Sequence, residues 1–296
     1  MVYGPIWTLL VSMISSLFPS NLFFQLLILR LILLIVLVTL IALAILIVRQ
    51  FAPPWAFPAF IALAWQPLLL IQTVNTAHSD ILIGFTVLLG LFLICRRHYF
   101  KGFISLWLGV LIKYTPLLII PLGIKFIFSR ENVRKGVKIL IPIVLAMIFL
   151  TLIAYFPFGY NIFQFKKFGH QSQLFAYTSL PPIPFWLITI GEVISGIDIH
   201  KELLLRNWQI PWWSFENPPV SLVNIVRILS LIIFLLFYFW LLFKPFGDEK
   251  DFFRRGFWVF AIYLLIASFW FMAWYLIWLM PLAVVSGLGL TLITLG

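Results

Sequence analysis

The chain has 296 residues, of which 64% are hydrophobic, 18% aromatic and only 10% charged, and its mean hydropathy is +1.13. So few charges cannot cover a water-facing surface, so the composition excludes a soluble globular protein. The net charge of +11 does not indicate a nucleic-acid partner, because the Lys and Arg residues lie between apolar runs, where they report membrane topology. A single cysteine, Cys95, allows no internal disulfide.

Repeated apolar runs, several near or above ~20 residues, predict an all-α polytopic membrane bundle, because helices satisfy their backbone hydrogen bonds internally in lipid. The first segment, 5–18, has the amphipathic spacing of a helix that lies in the membrane interface. Residues 22–48 form the clearest transmembrane helix. Further apolar runs occupy 57–73, 81–95, 103–112, 116–128, 139–157, 219–243, 257–273 and 276–295. We expect seven to nine membrane segments, some short or re-entrant, in one transmembrane domain over 1–296 with an external loop at 158–218.

The run 103–112 is too short to cross a membrane, since ~1.5 Å per residue makes it about half the ~30 Å hydrocarbon core. It either continues into 116–128 as one kinked crossing or pairs with it as a shallow hairpin that turns at 113–116. The hairpin places thirteen of the twenty basic residues on one side, and the positive-inside rule therefore favours it. The thirteen, assigned to the cytoplasm, are Arg49, Arg96, Arg97, Lys101, Lys125, Arg130, Arg134, Lys135, Lys138, Lys244, Lys250, Arg254 and Arg255. The external side then holds the N-terminus, 74–80, the turn at Lys113, the loop 158–218 and the turn at 274–275.

An abrupt polar cluster, Asn75-Thr76-Ala77-His78-Ser79-Asp80, separates two apolar runs. Asp80 is the only acid before Glu131. A carboxylate beside an imidazole at a membrane surface can bind a sugar hydroxyl or take its proton, so Asp80 and His78 are the candidate catalytic residues. The alternative is that Asp80 and Ser79 cap the helix that begins at Ile81, and both interpretations can hold.

Three isolated basic residues are candidates for binding a lipid phosphate. Lys113 lies between apolar runs, where a buried ammonium needs a partner such as Asp80 or a phosphate, and the alternative is that it snorkels to the interface. Arg30 and Arg227 each lie about nine residues from the external end of a span, near the depth of the headgroups. For both, snorkelling is the simpler interpretation.

The loop 158–218 combines aromatic and carboxylate side chains, which bind the faces and hydroxyls of sugars. An aromatic belt at the membrane interface gives the same composition without a ligand. The loop residues concerned are Phe185, Trp186, Trp208, Trp212, Trp213, Asp198, His200 and Glu202. Asp198, His200 and Glu202 alternate along the chain and could ligate a metal. No second cluster of ligands supports them, so we predict no metal site. Phosphate-binding and dinucleotide glycine motifs are absent, so we predict no cofactor, and dependence on a divalent metal stays open.

Several segments resemble the membrane-embedded GT-C glycosyltransferases, and among them the branch that uses polyprenyl-phosphate mannose, such as glycosyltransferase family 87. The resemblance rests on the cluster 75–80, on the basic turn 96–101 and on Leu111-Ile112-Lys113-Tyr114-Thr115-Pro116-Leu117 with Pro121. It also rests on Trp274-Tyr275-Leu276-Ile277-Trp278-Leu279-Met280-Pro281, which matches that branch's late Trp-Tyr-x-x-Trp-x-x-Pro.

The resemblance implies a GT-C fold and a site assembled from these segments. His78 and Asp80 would line the sugar-phosphate or acceptor site, Lys113 would face the phosphate, and Trp274 and Tyr275 would border a cavity that also includes Asn75 and Tyr114. The implied reaction transfers a sugar, expected to be mannose, from a polyprenyl-phosphate donor to a glycan, lipid or protein acceptor at the extracytoplasmic face.

The chain departs from this family at its start. The family's catalytic acid normally lies in a first external loop, whereas this chain has no acid before Asp80, and its opening 3–7 resembles the tail of that loop. We therefore expect this chain to be a fragment of a longer protein that carries the acid. If it is not a fragment, Asp80, Glu192 or Asp198 would substitute for the catalytic acid. The alternative functions are a membrane transporter or lipid-carrier flippase, for which buried Arg and Lys would mark a pathway, and a noncatalytic partner of a glycosyltransferase.

Overall fold

The computed structural model describes residues 4–163, 222–268 and 271–287. Within these ranges the regular structure is helical and no β-strand occurs, which confirms the all-α prediction for the described part of the chain. Residues 164–218 of the predicted external loop lie outside these ranges. So do the loop residues named above as candidates for sugar stacking, acid catalysis or metal binding.

Eleven helices are described. In chain order they are α1 (Pro5–Leu17), α2 (Leu22–Phe51), α3 (Ala56–Ala64), α4 (Pro67–Leu70), α5 (Asp80–Cys95), α6 (Tyr99–Ile112), α7 (Ile120–Arg130), α8 (Val133–Tyr155), α9 (Leu222–Phe243), α10 (Glu249–Ile262) and α11 (Leu276–Ser286). Short 3₁₀ or π segments adjoin several of them: Pro53–Trp55, Ile71–Asn75, Thr115–Ile119, Phe156–Phe163, Tyr263–Ala267 and Ala273–Tyr275.

Three described segments are long and apolar enough to cross a membrane, namely Leu22–Phe51, Val133–Gly159 and Val226–Phe243. The helices Pro53–Ala64 and Pro67–Asn75 are bent by 51° and make a fourth span if they are counted together. By length and composition these segments make the chain an integral membrane protein. The count of seven to nine segments also needs the shorter apolar helices and stays a prediction.

The chain divides into two compact units. Of the described residues, the larger contains 4–162, 244–260 and 273–287, and the smaller contains 163, 222–243, 261–268 and 271–272. In the smaller unit α9 packs against the π segment that follows α10. Phe234 stacks on Tyr238 and meets the ring of Tyr263 edge to face, with centroids 5.8 Å apart. The prediction of one domain over 1–296 stays a prediction.

Helix α5 is the centre of the larger unit and packs against α2, α6 and α11. Glycines let α6 approach closely, since a Cβ on Gly102 would lie 2.8 Å from the Gly90 carbonyl oxygen. Small residues at such a crossing bring two backbones together in membrane helices. With Ile81, Val87 and Leu91 fully buried, α5 fixes the positions of its neighbours around both of its ends.

Helices α6 and α7 form a hairpin. The Tyr99 hydroxyl donates a hydrogen bond of 3.1 Å to Glu131 Oε1, although a continuous helix would separate these residues by about 48 Å. Closer to the turn, a Cβ on Gly123 would lie 3.0 Å from the ring of Phe103. The structure therefore confirms the hairpin that the charge distribution favoured over a single kinked crossing.

The end of the larger unit away from the 113–116 turn is rich in basic side chains. Arg96 donates to the side chain of Gln50, and Lys125 donates to the Lys244 carbonyl. Glu131 accepts a 2.7 Å ion pair from Lys135, and hydrogen bonding to Lys135 lowers the pKa of this carboxyl. The residues that the positive-inside rule grouped in this unit thus share one end, while the side of the membrane that they face stays a prediction.

Several helix boundaries differ from the apolar runs, and two of them have a clear local cause. The run 57–73 is not one helix, because the chain breaks at Trp65 and Gln66 before Pro67, and the residue before a proline disfavours the helical region. The run 276–295 ends as a helix at Ser286, where Gly287 adopts a left-handed conformation with φ of 79°.

Candidate active site

Three turns that are distant in sequence meet at one end of the larger unit. The turn 76–79 leads into α5, Lys113 follows α6, and Ala273–Tyr275 leads into α11. Lys113 leaves the helix with extended backbone angles, φ −158° and ψ 135°, while Asp80 lies in the first turn of α5. The predicted placement of these turns at a common end is confirmed.

A buried ion pair joins the first two turns. Lys113 Nζ lies 3.1 Å from Asp80 Oδ1, and the two side chains are 6% and 0% exposed. Removing either partner from such a pair strands a charge away from water and typically costs about 3–5 kcal/mol. The pair therefore fixes the start of α5 to the end of α6.

Helix α11, which follows the third turn, adds an indole donor to the same carboxylate oxygen. Trp278 Nε1 donates a hydrogen bond of 2.9 Å to Asp80 Oδ1 and is itself almost wholly buried. Asp80 Oδ2 is buried without a hydrogen-bond partner among the described residues. One carboxylate oxygen thus ties together segments that lie 198 positions apart.

Aromatic rings complete the surroundings of the ammonium. Lys113 Nζ lies 4.1 Å from the centroid of Tyr275 and 4.9 Å from that of Trp278, and these two rings stack on each other at 4.7 Å. Both distances are typical of cation–π contacts. Such contacts stabilise a desolvated cation by about 2 kcal/mol. We call Asp80, Lys113, Tyr275 and Trp278 the charged cage.

His78 and Trp274 form a flat aromatic surface beside the cage. Their rings stack with centroids 4.3 Å apart and an interplanar angle of 15°, and both side chains are half-buried. Burial lowers the pKa of His78 from its ordinary 6.5, and Lys113 lowers it further against the opposing effect of Asp80. The lowered pKa favours the neutral imidazole at pH 7, which is the form that can accept a proton.

The turn that carries His78 has an unusual backbone. Ala77 has a φ of 54°, a left-handed conformation that is rare for a residue with a Cβ and clusters at functional sites. The His78 amide donates to the Gln72 carbonyl at 2.9 Å, and the Thr76 amide donates to the Ile71 carbonyl at 3.0 Å. These bonds hold the turn against the π segment before it.

The chain near its first residues reaches the same end of the unit. The Gly4 amide donates a 2.7 Å hydrogen bond to the carbonyl of Ile112, next to Lys113. A Cβ on Gly4 would lie 2.2 Å from the carbonyl oxygen of Leu111, so only glycine fits this approach. Helix α1, predicted over 5–18 and found at Pro5–Leu17, starts beside the candidate site.

Two alternative interpretations of the polar residues are wrong. Neither Ser79 nor Asp80 caps α5, because the Ser79 side chain makes no capping hydrogen bond and Asp80 Oδ1 is bound to Lys113 and Trp278. Lys113 does not snorkel to the interface, because it is buried against Asp80. The contact that the topology allowed between Lys113 and Asp80 is present.

The remaining predicted site residues lie outside the cage. Arg30 is exposed and donates a 2.8 Å hydrogen bond to the carbonyl of Asn75, whose side chain is exposed as well. Tyr114 is 43% exposed beside Lys113. Arg227 lies in α9 of the smaller unit and is partly buried there. The proposed roles of these four residues stay predictions.

Sequence reasoning left Trp278 without a role, although it lies in the Trp-Tyr-x-x-Trp segment. The spacing carried a signal, since residues three and four apart share a helix face, so Trp278 extends the face of Trp274 and Tyr275.

Three buried hydroxyl groups were not predicted from the sequence either. Thr73, Ser79 and Thr115 are at most 3% exposed, and their oxygens lack a partner among the described residues. Small hydroxyl side chains in apolar runs give no comparable signal.

No group of three His, Cys, Asp or Glu side chains that could hold a metal ion occurs in the part of the chain that the structure describes. The polar chemistry of the site in that part therefore rests on one carboxylate, one ammonium, one imidazole and their aromatic neighbours.

Residues 1–128 match the model of the MptA_B family, which is described as alpha-(1->6)-mannopyranosyltransferase, N-terminal domain. No curated protein and no solved structure matches the chain. The match covers His78, Asp80 and Lys113, whereas Tyr275 and Trp278 lie beyond it. The first 128 residues are thus similar to the N-terminal domain of a mannosyltransferase, which, together with the apolar helices, supports a membrane glycosyltransferase of mannose.

Proposed function

We propose that the protein transfers mannose from a polyprenyl-phosphate donor to an acceptor hydroxyl at the extracytoplasmic face of its membrane. The observation that carries the proposal is the convergence of three turns on Asp80 Oδ1 through Lys113 and Trp278. Two of these turns lie in the stretch that is similar to mannosyltransferases. The GT-C fold and the relationship to glycosyltransferase family 87 belong to the same proposal.

The placement of charge supports a lipid-linked donor. The polar turns share one end of the larger unit, and Lys and Arg residues are concentrated at the other end, which the positive-inside rule assigns to the cytoplasm. Nucleotide sugars are cytoplasmic, so a site on the opposite side needs a donor that the membrane itself carries.

The stacked rings of His78 and Trp274 are proposed to receive the sugar. A half-buried indole offers a flat apolar face to the C–H groups of a pyranose ring, and such aromatic side chains combine apolar contact with a polar tip. Tyr114 and Asn75 are exposed and offer hydroxyl and amide groups to sugar hydroxyls. We propose that these four residues line the substrate cavity.

The reaction is a direct displacement at the anomeric carbon. A base removes the acceptor's hydroxyl proton, the acceptor oxygen forms a bond to that carbon, and the bond from carbon to phosphate oxygen breaks so that polyprenyl phosphate leaves. His78 is the proposed base because it is partly exposed and its lowered pKa favours the neutral imidazole. Asp80 is fully buried and is proposed to position Lys113, whose charge stabilises the departing phosphate.

A transfer assay tests this proposal. Purified protein in liposomes receives polyprenyl-phosphate mannose with radiolabelled sugar and a membrane extract as the source of acceptors. We expect Lys113→Met and Asp80→Asn to reduce transfer at least about a hundredfold, the scale of losing one preorganised electrostatic contact. The control Lys135→Met removes an exposed lysine at the opposite end and should retain the wild-type rate.

Protein level and melting temperature are measured for each variant, because both substitutions disturb a buried pair. Folded variants that transfer mannose at the wild-type rate would exclude the proposed site. Wild-type protein that transfers no sugar from any polyprenyl phosphate would instead favour a transporter, a flippase or a noncatalytic partner.

A further inference from the structure

Arg30 lies on a surface of α2 that is otherwise apolar. Of its four neighbours one helical turn away, Leu33 is buried, whereas Leu26, Leu27 and Leu34 are 38–41% exposed, and Arg30 itself is exposed. In a helix long enough to span a membrane, such a surface faces lipid tails. A guanidinium there is costly and marks a functional site by default unless it reaches water or an anion.

The position of Arg30 along α2 brings it near the headgroups. The helix has 30 residues and is therefore about 45 Å long, which exceeds a ~30 Å hydrocarbon core by about 15 Å. With this excess shared between both ends, the Arg30 backbone lies roughly 4–5 Å inside the core. Its side chain slants toward the helix N-terminus, so the guanidinium reaches the level of the phosphates.

The structure holds the guanidinium at this depth. Arg30 Nη2 donates to the Asn75 carbonyl at 2.8 Å, at the end of the π segment Ile71–Asn75. A guanidinium has five N–H donors in a planar fork that matches phosphate oxygens, and Asn75 engages one group of that fork. The side chain of Asn75 and that of the next residue, Thr76, are exposed as well.

The geometry points to a second phosphate site: we propose that Arg30, together with the exposed edge of residues 75–76, binds the phosphate headgroup of an anionic lipid that approaches laterally from the membrane. The ligand class is a lipid phosphate with its tail along the apolar surface of α2. The site is separate from the charged cage, in which Lys113 is already paired with Asp80.

This inference deepens the proposed function and rests on it only for the identity of the lipid. If the protein uses a polyprenyl-phosphate donor, Arg30 receives that lipid, or the polyprenyl phosphate that leaves after transfer, at the membrane side of the turn that carries His78. Because it concerns binding, it is testable without any transfer activity.

The experiment is a lipid titration of the whole protein in phosphatidylcholine nanodiscs, with bound lipid read by native mass spectrometry. Three probes are added in separate series: polyprenyl phosphate, phosphatidylglycerol and soluble inorganic phosphate. For Arg30→Gln we expect at least about tenfold weaker binding of polyprenyl phosphate, the scale of one lost charge-assisted hydrogen bond. Arg30→Lys, which keeps the charge, should lie between Arg30→Gln and the wild type.

Arg49→Gln is the matched control, because Arg49 is an exposed arginine in the last turn of the same helix. It should bind polyprenyl phosphate as the wild type does. An equal loss of polyprenyl-phosphate binding in Arg49→Gln would show a general attraction of the lipid to positive charge and would overturn the site. Wild-type binding by Arg30→Gln would overturn it as well. Tighter binding of phosphatidylglycerol would retain a lipid phosphate site but reassign its occupant.

Displacement of bound lipid by inorganic phosphate would overturn the lipid assignment in favour of a free phosphate. Melting temperatures show whether loss of the hydrogen bond to Asn75 impairs folding. If Arg30→Gln does not fold, Arg30→Lys is the variant compared with the wild type. Retained binding at Arg30 without any mannose transfer would reject the proposed function and leave this site standing.

Discussion

At the scale of single residues, the site depends on one carboxylate oxygen with two donors. Asp80 is the only acid before Glu131 and therefore the only one in the first polar turns. In the structure it is buried against Lys113 and Trp278. The sequence indicated that Lys113 needed a partner and named Asp80 as a candidate. It did not indicate the indole, because Trp278 lies 198 positions away in an apolar segment.

Trp278→Phe tests the importance of the indole donor. The substitution keeps an aromatic ring but removes the N–H that reaches Asp80 Oδ1, so we expect the free energy of unfolding in detergent to fall by about 1–3 kcal/mol, the cost of a buried acceptor that loses a donor. Chemical denaturation measures it. Trp274→Phe is the control, since Trp274 is half-buried and stacks on His78 through its ring face. Equal losses in the two variants would contradict a specific role for Trp278.

At the scale of helices, length and apolar spacing predicted most elements, and packing decided their bends. The hairpin of α6 and α7 follows from charge placement, whereas the break between α3 and α4 follows from Pro67. The burial of Arg255 was not predicted. The charge distribution assigned it only to a side of the membrane, and the structure shows that it is 2% exposed, pairs with Asp251 at 2.7 Å and lies 4.3 Å from the ring centroid of Phe246.

Gly102→Leu tests the close approach of α5 and α6. Even a Cβ at this position would lie 2.8 Å from the Gly90 carbonyl oxygen, so a larger side chain must push the helices apart, and overpacking of this kind costs about 1–3 kcal/mol. We expect a lower melting temperature in detergent. Gly247→Leu is the control, because a Cβ there approaches only Asp251, at 4.0 Å. A melting temperature unchanged by Gly102→Leu would show that the crossing is looser than described.

At the scale of the whole molecule, the arrangement of charges predicts that the two ends of the larger unit lie on opposite sides of the membrane. The polar turns and the basic residues lie at different ends. From the positive-inside rule we predict that the turns face the outside, which the proposed use of a lipid-linked donor requires.

Labelling of introduced cysteines tests this orientation. Tyr114 is 43% exposed at the end with the polar turns, and the Lys135 side chain is 58% exposed at the basic end. In intact cells a membrane-impermeant thiol reagent should label Tyr114→Cys, and it should label Lys135→Cys only after permeabilisation. Native Cys95 is buried, so the parent protein supplies a low background. The reverse pattern would invert the topology and remove the case for an extracytoplasmic site.

The sequence by itself determined the helical membrane class, most helix positions, the hairpin and the end of the unit at which polar residues collect. These features depend on composition, on runs of apolar residues and on the charges between them, all of which are local and can be read without a fold. Only the tertiary structure decided that Lys113 pairs with Asp80, that Trp278 shares the carboxylate and that His78 stacks on Trp274. Such contacts join segments up to 198 positions apart, and their geometry depends on how α5 packs with α6 and α11, which no local pattern specifies.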